Sequence, residues 1–100
     1  SSPSPLLGQP APTIDGRALD GSPLDSAALH GRPIVVEFFA EYCAPCRESL
    51  PAVARVYARQ QGDVAFIGIS LDEYASAAHS MATTYGLAFP VIHDSGKLRG

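Results

Sequence analysis

The chain has 100 residues, of which 46% are hydrophobic and 17% are charged, a composition typical of one small globular domain with a single modest core. Its formal net charge of -3 gives no sign of the basic patch typical of nucleic-acid-binding proteins, so we expect no nucleic-acid partner. The apolar runs are too short to cross a bilayer. The first residue is Ser1 rather than Met, so we expect the chain to be a piece of something longer.

The N-terminal third predicts little chemistry. Residues 1–5 are Ser and Pro, typical of a linker, and residues 6–100 form the predicted domain. Between residues 6 and 32, Gly and Pro separate short apolar pieces, which predicts a small hairpin and a turn of helix near residues 26–29.

Residues 34–40 are a nearly continuous apolar run that predicts a strand buried on both faces of a parallel sheet, at the centre of an α/β fold. Glu37 is the one charge inside this run. Because an isolated buried carboxylate is costly, we expect burial to raise the pKa of Glu37. A structural salt bridge is the alternative role for this residue.

A helical pattern begins at Ala44, with apolar positions at Leu50, Val53, Val56 and Tyr57 and a stop at Gly62. The period therefore changes from strand to helix at the motif Cys-Ala-Pro-Cys, residues 43–46. Pro45 suits a first helical turn because it lacks an N–H and has a fixed φ angle.

The two cysteines of this motif predict a redox dithiol. Cys43 falls at or just before the first turn of the helix, where unpaired N–H groups and the helix dipole favour a thiolate. Cys46 follows about one turn later on the same face, within reach of a disulfide. We expect Cys43 to be the exposed nucleophile, Cys46 the buried resolving thiol, and Glu37 a proton acceptor for Cys46.

The rest of the chain continues the alternation of strand and helix. Residues 64–70 predict a second strand, joined to the first by a right-handed crossover. Asp72 predicts the N-cap of a helix over residues 73–85, with Tyr74, Ala77, Ala78, Met81 and Tyr85 as its apolar stripe and Gly86 as its end. Residues 89–92 predict a third strand, followed by a turn at residues 94–97.

Non-catalytic interpretations of the cysteines, and roles for the histidines, also have to be considered. A zinc half-site or a pair of idle thiols is the alternative for the cysteines, although structural zinc takes four ligands. The chain also contains His30, His79 and His93. Since none stands at ligand spacing from the cysteines, we expect surface or capping roles for them and no metal site.

The stretch from Val36 to Cys46, Val-Glu-Phe-Phe-Ala-Glu-Tyr-Cys-Ala-Pro-Cys, resembles the active-site signature of the thioredoxin superfamily. Pro51 matches that family's helix-kinking proline. The resemblance implies that Glu37 takes the place of the buried acid, and that Phe39 and Tyr42 take the places of two tryptophans. Ala44 and Pro45, between the cysteines, would shape the site, and the redox-active disulfide itself would serve in place of any cofactor.

The segment before the strand is similar to the N-terminal extension of TlpA-like and ResA-like thiol-disulfide oxidoreductases and of peroxiredoxins, the redoxin or AhpC/TSA type of domain. The resemblance implies exchange of disulfides with partner proteins, an upstream electron donor, and a place in the bacterial periplasm or cell envelope, with a possible membrane tether before Ser1. The narrower expectation, by analogy, is a reductant of the cytochrome c maturation type.

Two rival functions remain open. A peroxiredoxin-like peroxidase would use Cys43 on hydroperoxides, but Ala40 stands where that family has Thr. A non-catalytic binding or assembly module would carry metal or idle thiols at the same two cysteines.

The resemblance also implies that the fold continues past Gly100 with a cis-proline loop, an antiparallel strand pair and a final helix. Without these elements, one edge of the first buried strand would expose unpaired N–H and C=O groups. We therefore expect that edge to be covered by a further C-terminal segment, a partner strand or a swapped dimer.

Overall fold

The computed structural model describes residues 15–25, 29–60 and 62–94. In this part of the chain, an antiparallel hairpin precedes a three-stranded parallel sheet and two helices. The elements in chain order are β1 (Asp15–Arg17), β2 (Pro23–Asp25), β3 (Ile34–Phe39), α1 (Cys46–Arg59), β4 (Ala65–Ser70), α2 (Ala75–Thr84) and β5 (Val91–His93). The α/β class and the thioredoxin-like order of elements agree with the prediction.

The hairpin of β1 and β2 confirms the predicted N-terminal hairpin. It docks on the sheet through an antiparallel bridge between Ala18 and Ile92 and a hydrogen bond from Leu19 N–H to the Val91 carbonyl (2.8 Å). Leu29 lies in a short turn, and its carbonyl accepts a hydrogen bond from Arg32 N–H (3.2 Å). The rest of the predicted helical turn, at residues 26–28, lies outside the described residues, as do the linker at residues 1–5 and residues 95–97 of the predicted C-terminal turn.

The sheet has the order β3-β4-β5 with all strands parallel. Every residue of β4 is buried, because β4 has a paired strand on each side. The prediction that β3 is buried on both faces is wrong within the described part of the chain. There β3 is an edge strand, and Val35 and Phe38 are 36% and 55% exposed.

The core lies on both faces of the sheet. One cluster joins the sheet to both helices and contains Phe39, Cys46, Leu50, Phe66, Met81, Phe89 and Val91. The other cluster contains Ile67, Ile69 and Ile92, packed against Leu24 and Leu29 from the hairpin side. Both helices pack on the same face because two successive right-handed crossovers in one direction return to the same side of a sheet.

The first helix differs in detail from its prediction. It begins at Cys46, contains Pro51, and ends at Arg59 with the extended residue Gln60 as its C-cap. Gly62 lies beyond this end with a φ of +90°, in the left-handed region that glycine enters without strain. Val56 was predicted on the apolar face but is 57% exposed, since the buried stripe is narrower than the pattern suggested.

The bounds of the second helix, α2, and of the last strand, β5, also differ from their predictions. The helix α2 starts at Ala75 with Tyr74 as its N-cap, so the prediction that Asp72 caps it is wrong. Tyr74, predicted as core, is 67% exposed because it lies before the first turn. The strand β5 covers Val91–His93 rather than residues 89–92, and Phe89 is buried ahead of it.

In the described residues, no helix is long and apolar enough to cross a membrane.

Candidate active site

Cys43 and Cys46 form a disulfide at the point where β3 passes into α1. Their Cα atoms are 5.4 Å apart, within the usual range for a bridged pair. A tight turn brings them together: Cys43 N–H donates to the Ala40 carbonyl (3.0 Å), and Cys46 N–H donates to the Cys43 carbonyl (3.1 Å). The predicted position of Cys43, just before the first helical turn, is confirmed.

The two sulfur-bearing residues differ in exposure. Cys46 is 5% exposed and belongs to the core cluster beneath the helices, whereas Cys43 is half-buried at the edge of that cluster. Ala44 and Pro45, between them, are exposed. Solvent and reagents therefore reach this disulfide from the Cys43 side.

Pro45 occupies the N-cap position of α1 with φ -61° and ψ -23°. Its carbonyl accepts hydrogen bonds from Glu48 N–H and Ser49 N–H, each at 3.1 Å. The proline ring is thus accommodated where a missing N–H costs nothing, as predicted. The positive end of the helix dipole lies beside the dithiol, an environment that favours a thiolate.

Glu37 is half-buried in β3, and burial raises the pKa of its carboxyl group. The direction of this shift confirms the sequence prediction, although the edge position of β3 leaves the side chain less buried than expected. Because side chains alternate along a strand, Glu37 lies on the same face as Phe39, which packs in the cluster that holds Cys46. The role of proton acceptor for Cys46 stays a prediction.

Phe39 and Tyr42 have opposite environments. Phe39 is 1% exposed, in the core cluster that also contains Cys46, and Tyr42, next to Cys43 in sequence, is 76% exposed. Phe39 therefore belongs to the same part of the core as the buried cysteine. Tyr42 presents an exposed aromatic surface beside Cys43.

The sequence reasoning missed a polar cluster at the carboxyl ends of the strands, made by Ser70, Asp72 and His93. Asp72 accepts hydrogen bonds from Glu41 N–H at Oδ1 (2.7 Å) and from the Ser70 hydroxyl at Oδ2 (2.8 Å). His93 Nε2 donates to the main-chain carbonyl of Asp72 (2.6 Å). The missed signal was positional, because polar residues at or just beyond the carboxyl ends of neighbouring parallel strands meet at one edge of the sheet, where α/β folds build their sites.

The described residues contain no group of three or more His, Cys, Asp or Glu side chains that could hold a metal ion. His30 and His79 are exposed on separate segments, and His93 is engaged with Asp72. The dithiol is the chemically reactive group at this edge of the sheet.

Comparison with known proteins places this geometry in a family. The sequence model of the AhpC/TSA family matches residues 7–98. The chain belongs to the AhpC/TSA family.

Individual relatives agree with this assignment. The thiol-disulfide oxidoreductase ResA of Bacillus thuringiensis is 28% identical over 92 residues, which cover 91% of this chain and 53% of ResA. A secreted disulfide oxidoreductase of Mycobacterium tuberculosis, described as homologous to E. coli DsbE, superposes with a TM-score of 0.75 at 30% identity, covering 82% of this chain and 60% of that structure. A thiol:disulfide interchange protein of the thioredoxin family from Chlorobium tepidum gives a TM-score of 0.74 at 34% identity, covering 89% and 62%.

These similarities establish a thioredoxin-like domain of the TlpA and ResA type. The chain spans about half the length of the curated relative ResA. The names of these relatives describe thiol-disulfide chemistry, and the dithiol at residues 43–46 is the group in this chain that matches such chemistry.

Proposed function

We propose that this chain is a thiol-disulfide oxidoreductase domain that exchanges disulfides with partner proteins through Cys43 and Cys46. The observation that carries the proposal is the unequal pair: the two cysteines are bonded at the start of a helix, one in the core and one half-buried at the surface. A reversible disulfide needs one accessible thiolate for attack and one sheltered thiol for resolution.

In the reductive direction, the Cys43 thiolate attacks one sulfur of a partner disulfide. That partner bond breaks, a mixed disulfide forms, and the released partner sulfur takes up a proton. The Cys46 thiol then gives its proton to a base, for which Glu37 is the candidate, and attacks the Cys43 sulfur. The partner leaves as a dithiol with two electrons gained, and the chain is left as the Cys43–Cys46 disulfide.

Glu37 is the candidate base for the second step because burial raises the pKa of its carboxyl group, which makes the carboxylate a stronger base. Its place on the helix-facing side of β3, two residues before Phe39, puts it on the side of the sheet that holds Cys46. A carboxyl group on the opposite face could not serve this thiol.

The narrower proposal is an extracytoplasmic reductant of the cytochrome c maturation type, supplied with electrons by an upstream dithiol donor. The supporting observations are the similarity to ResA and to a secreted mycobacterial oxidoreductase homologous to DsbE. The preferred substrate would then be an oxidised peptide that carries a Cys-x-x-Cys-His haem-attachment motif.

Cys46→Ser tests the mechanism. This variant should accumulate a covalent mixed disulfide with an oxidised test peptide, because resolution requires Cys46, and Cys43→Ser is the matched control that should form none. Intact mass measured with and without dithiothreitol identifies the adduct. Adduct formation by both variants, or by neither, would contradict the assigned roles.

Substrate choice tests the narrower role and the rival. The reduced wild-type chain should reduce an oxidised Cys-x-x-Cys-His peptide faster than a scrambled peptide of the same length. Rapid consumption of hydrogen peroxide with neither peptide reduced would instead support the peroxidase rival. A metal bound in proportion to the chain, detected by elemental analysis, with thiols that dithiothreitol does not increase, would support the non-catalytic module.

A further inference from the structure

A buried carboxylate is bonded to the turn that carries the nucleophile. Asp72 is 4% exposed and lies two residues beyond the end of β4. Its Oδ1 accepts the Glu41 N–H (2.7 Å), and its Oδ2 accepts the Ser70 hydroxyl (2.8 Å). Ser70 is fully buried, and its Oγ also accepts the Asp72 N–H (3.2 Å). The carboxylate is therefore held in one orientation by its own strand.

The Glu41 end of this contact belongs to the active-site turn. Glu41 is the second residue of the turn that runs from Ala40 to Cys43, closed by the hydrogen bond from Cys43 N–H to the Ala40 carbonyl (3.0 Å). Regular pairing of β3 with β4 continues as far as Leu71 N–H, which donates to the Phe39 carbonyl (2.8 Å). The Asp72 side chain extends this link by one step, from the strand ends into the turn.

Strand β5 and the residue after it hold the main chain around Asp72. His93 Nε2 donates to the Asp72 carbonyl (2.6 Å), and Asp94 N–H donates to the Ser70 carbonyl (2.8 Å). Asp72 is thus anchored by β4 and β5 while its carboxylate reaches toward β3. A helix cap would not need these anchors, and α2 is capped by Tyr74 instead.

We propose that Asp72 is a positioning residue of the dithiol: by holding the Glu41 peptide N–H, it fixes the turn that carries Cys43 and so sets the balance between the disulfide and the dithiol. This inference rests on the proposed function. Asp72 does not touch the reacting sulfurs. It acts through the main chain two residues before Cys43.

Two physical effects of the Asp72 carboxylate are expected to favour the disulfide over the dithiol. The structure holds the turn in the disulfide form, and we expect the Asp72–Glu41 hydrogen bond to be weaker in the dithiol form, in which the bridge no longer fixes the turn, so that the bond favours the disulfide. The negative charge of the carboxylate, bonded to the turn that carries Cys43, also disfavours a thiolate at Cys43, because like charges repel. Removal of the Asp72 carboxylate should therefore favour the reduced form and make the reduction potential less negative.

The experiment compares variants by equilibration of the full chain with glutathione redox buffers. Asp72→Ala removes both the acceptor and the charge, and we expect it to increase the equilibrium constant for reduction about tenfold, or about 30 mV. Asp72→Asn removes the charge but keeps an acceptor for Glu41 N–H, so its increase should be smaller, at about threefold, or about 15 mV.

Ile67→Val is the matched control. Ile67 is buried in the cluster on the opposite face from the helices, and loss of its methylene destabilises the fold without touching the turn. A merely structural Asp72 would behave like this control, with both redox forms destabilised equally and the potential unchanged. The difference between the unfolding free energies of the oxidised and reduced forms of each variant should account for its shift in potential.

The outcomes separate the two proposals. A wild-type dithiol that does not equilibrate with glutathione would overturn the proposed function and the positioning role with it. A wild-type dithiol that equilibrates, with Asp72→Ala at the wild-type potential, would overturn the positioning role alone. If Asp72→Ala does not fold, Ser70→Ala decides: it leaves the charge but frees Oδ2, so an increase of about twofold to threefold supports the role and an unchanged potential overturns it.

Amide hydrogen exchange gives an independent readout of the contact. Glu41 is exposed, but in the oxidised wild-type chain its amide hydrogen should exchange more slowly than is usual for an exposed residue, because the N–H is bonded to a buried acceptor. Asp72→Ala should accelerate this exchange, and Asp72→Asn should largely preserve the protection. Equal exchange in all three proteins would overturn the proposal.

Discussion

Gly68 lies in the middle of β4, where the sheet meets the ring of Phe39, and it offers a sharp test of the packing beneath the active site. A Cβ atom at this position would lie 3.1 Å from Cε1 of Phe89, 3.2 Å from Cε1 of Phe39 and 3.2 Å from Cγ2 of Val91. All three distances are shorter than an ordinary van der Waals contact. The neighbours belong to β3, β5 and the segment before β5, so no single shift relieves all three.

Gly68→Ala should therefore destabilise the protein. Overpacking a core by one methyl group costs about 1–3 kcal/mol, and replacing Gly by Ala returns about 0.4–1 kcal/mol through the entropy of the unfolded chain. We expect a net loss of about 1–2 kcal/mol in the free energy of unfolding. Urea denaturation of the oxidised protein, followed by circular dichroism, measures this loss.

Gly16→Ala is the matched control on the hairpin. A Cβ there would meet Cγ2 of Ile92 at 3.8 Å, an ordinary contact, and Gly16 is exposed. This variant should be as stable as the wild type or slightly more stable. If Gly68→Ala unfolds at the same urea concentration as Gly16→Ala, the close packing of Phe39 against β4 is refuted.

Two further predictions concern the site. In the reduced protein near neutral pH, iodoacetamide should modify Cys43 before Cys46, because Cys46 is 5% exposed and Cys43 lies just before the N-terminus of α1. Equal rates of modification, measured by mass spectrometry, would contradict this expectation. Since burial raises the pKa of Glu37, its ionised form costs stability as the pH rises through that folded-state pKa. Glu37→Gln should thus raise the free energy of unfolding measured by urea denaturation at neutral pH, and this gain should disappear below the unfolded-state pKa of about 4.3. The same variant should slow resolution by Cys46 more than attack by Cys43. A loss of several kcal/mol in Glu37→Gln would instead support the salt-bridge role.

The features that could be predicted from sequence depend on neighbouring residues. The change of period at residues 43–46 located the dithiol at a strand-to-helix junction, and Pro45 could be placed at the helix start because its φ angle and missing N–H suit few other positions. The order of strands and helices could be predicted for the same reason, since each segment carried its own periodicity.

The errors arose where the environment depends on distant parts of the chain. The sequence pattern of an apolar run is the same for an edge strand and for a central strand, so the pattern of β3 could not show that Val35 and Phe38 are exposed. Tyr74 fitted an apolar stripe but lies outside the helix, because the helix starts one residue later. Periodicity gives the spacing of apolar residues and leaves the first turn undetermined.

Asp72 shows the same limit at the site. An acidic residue shortly before a helical pattern is the usual signature of an N-cap, and this local signal competed with a partner 31 positions away in sequence. The carboxylate bonds to Glu41 because the parallel register brings the ends of β3 and β4 together, with Phe39 opposite Ser70. A prediction that used the register of the strands as well as local propensity would have placed Asp72 beside the active-site turn.

Family membership and site geometry answer different questions about the chemistry. The N-terminal segment resembles both disulfide reductases and peroxidases, so the family match leaves both chemistries open. The second cysteine narrows the choice, because it lies three residues from the first, in the core, and is already bonded to it. A peroxidase must bind and polarise a small hydroperoxide at the nucleophile, and the position three residues before Cys43 is Ala40, a buried side chain without a polar atom. The surface around Cys43 offers instead the exposed ring of Tyr42, which suits contact with a polypeptide, and this exposure supports the proposed disulfide exchange with a protein partner.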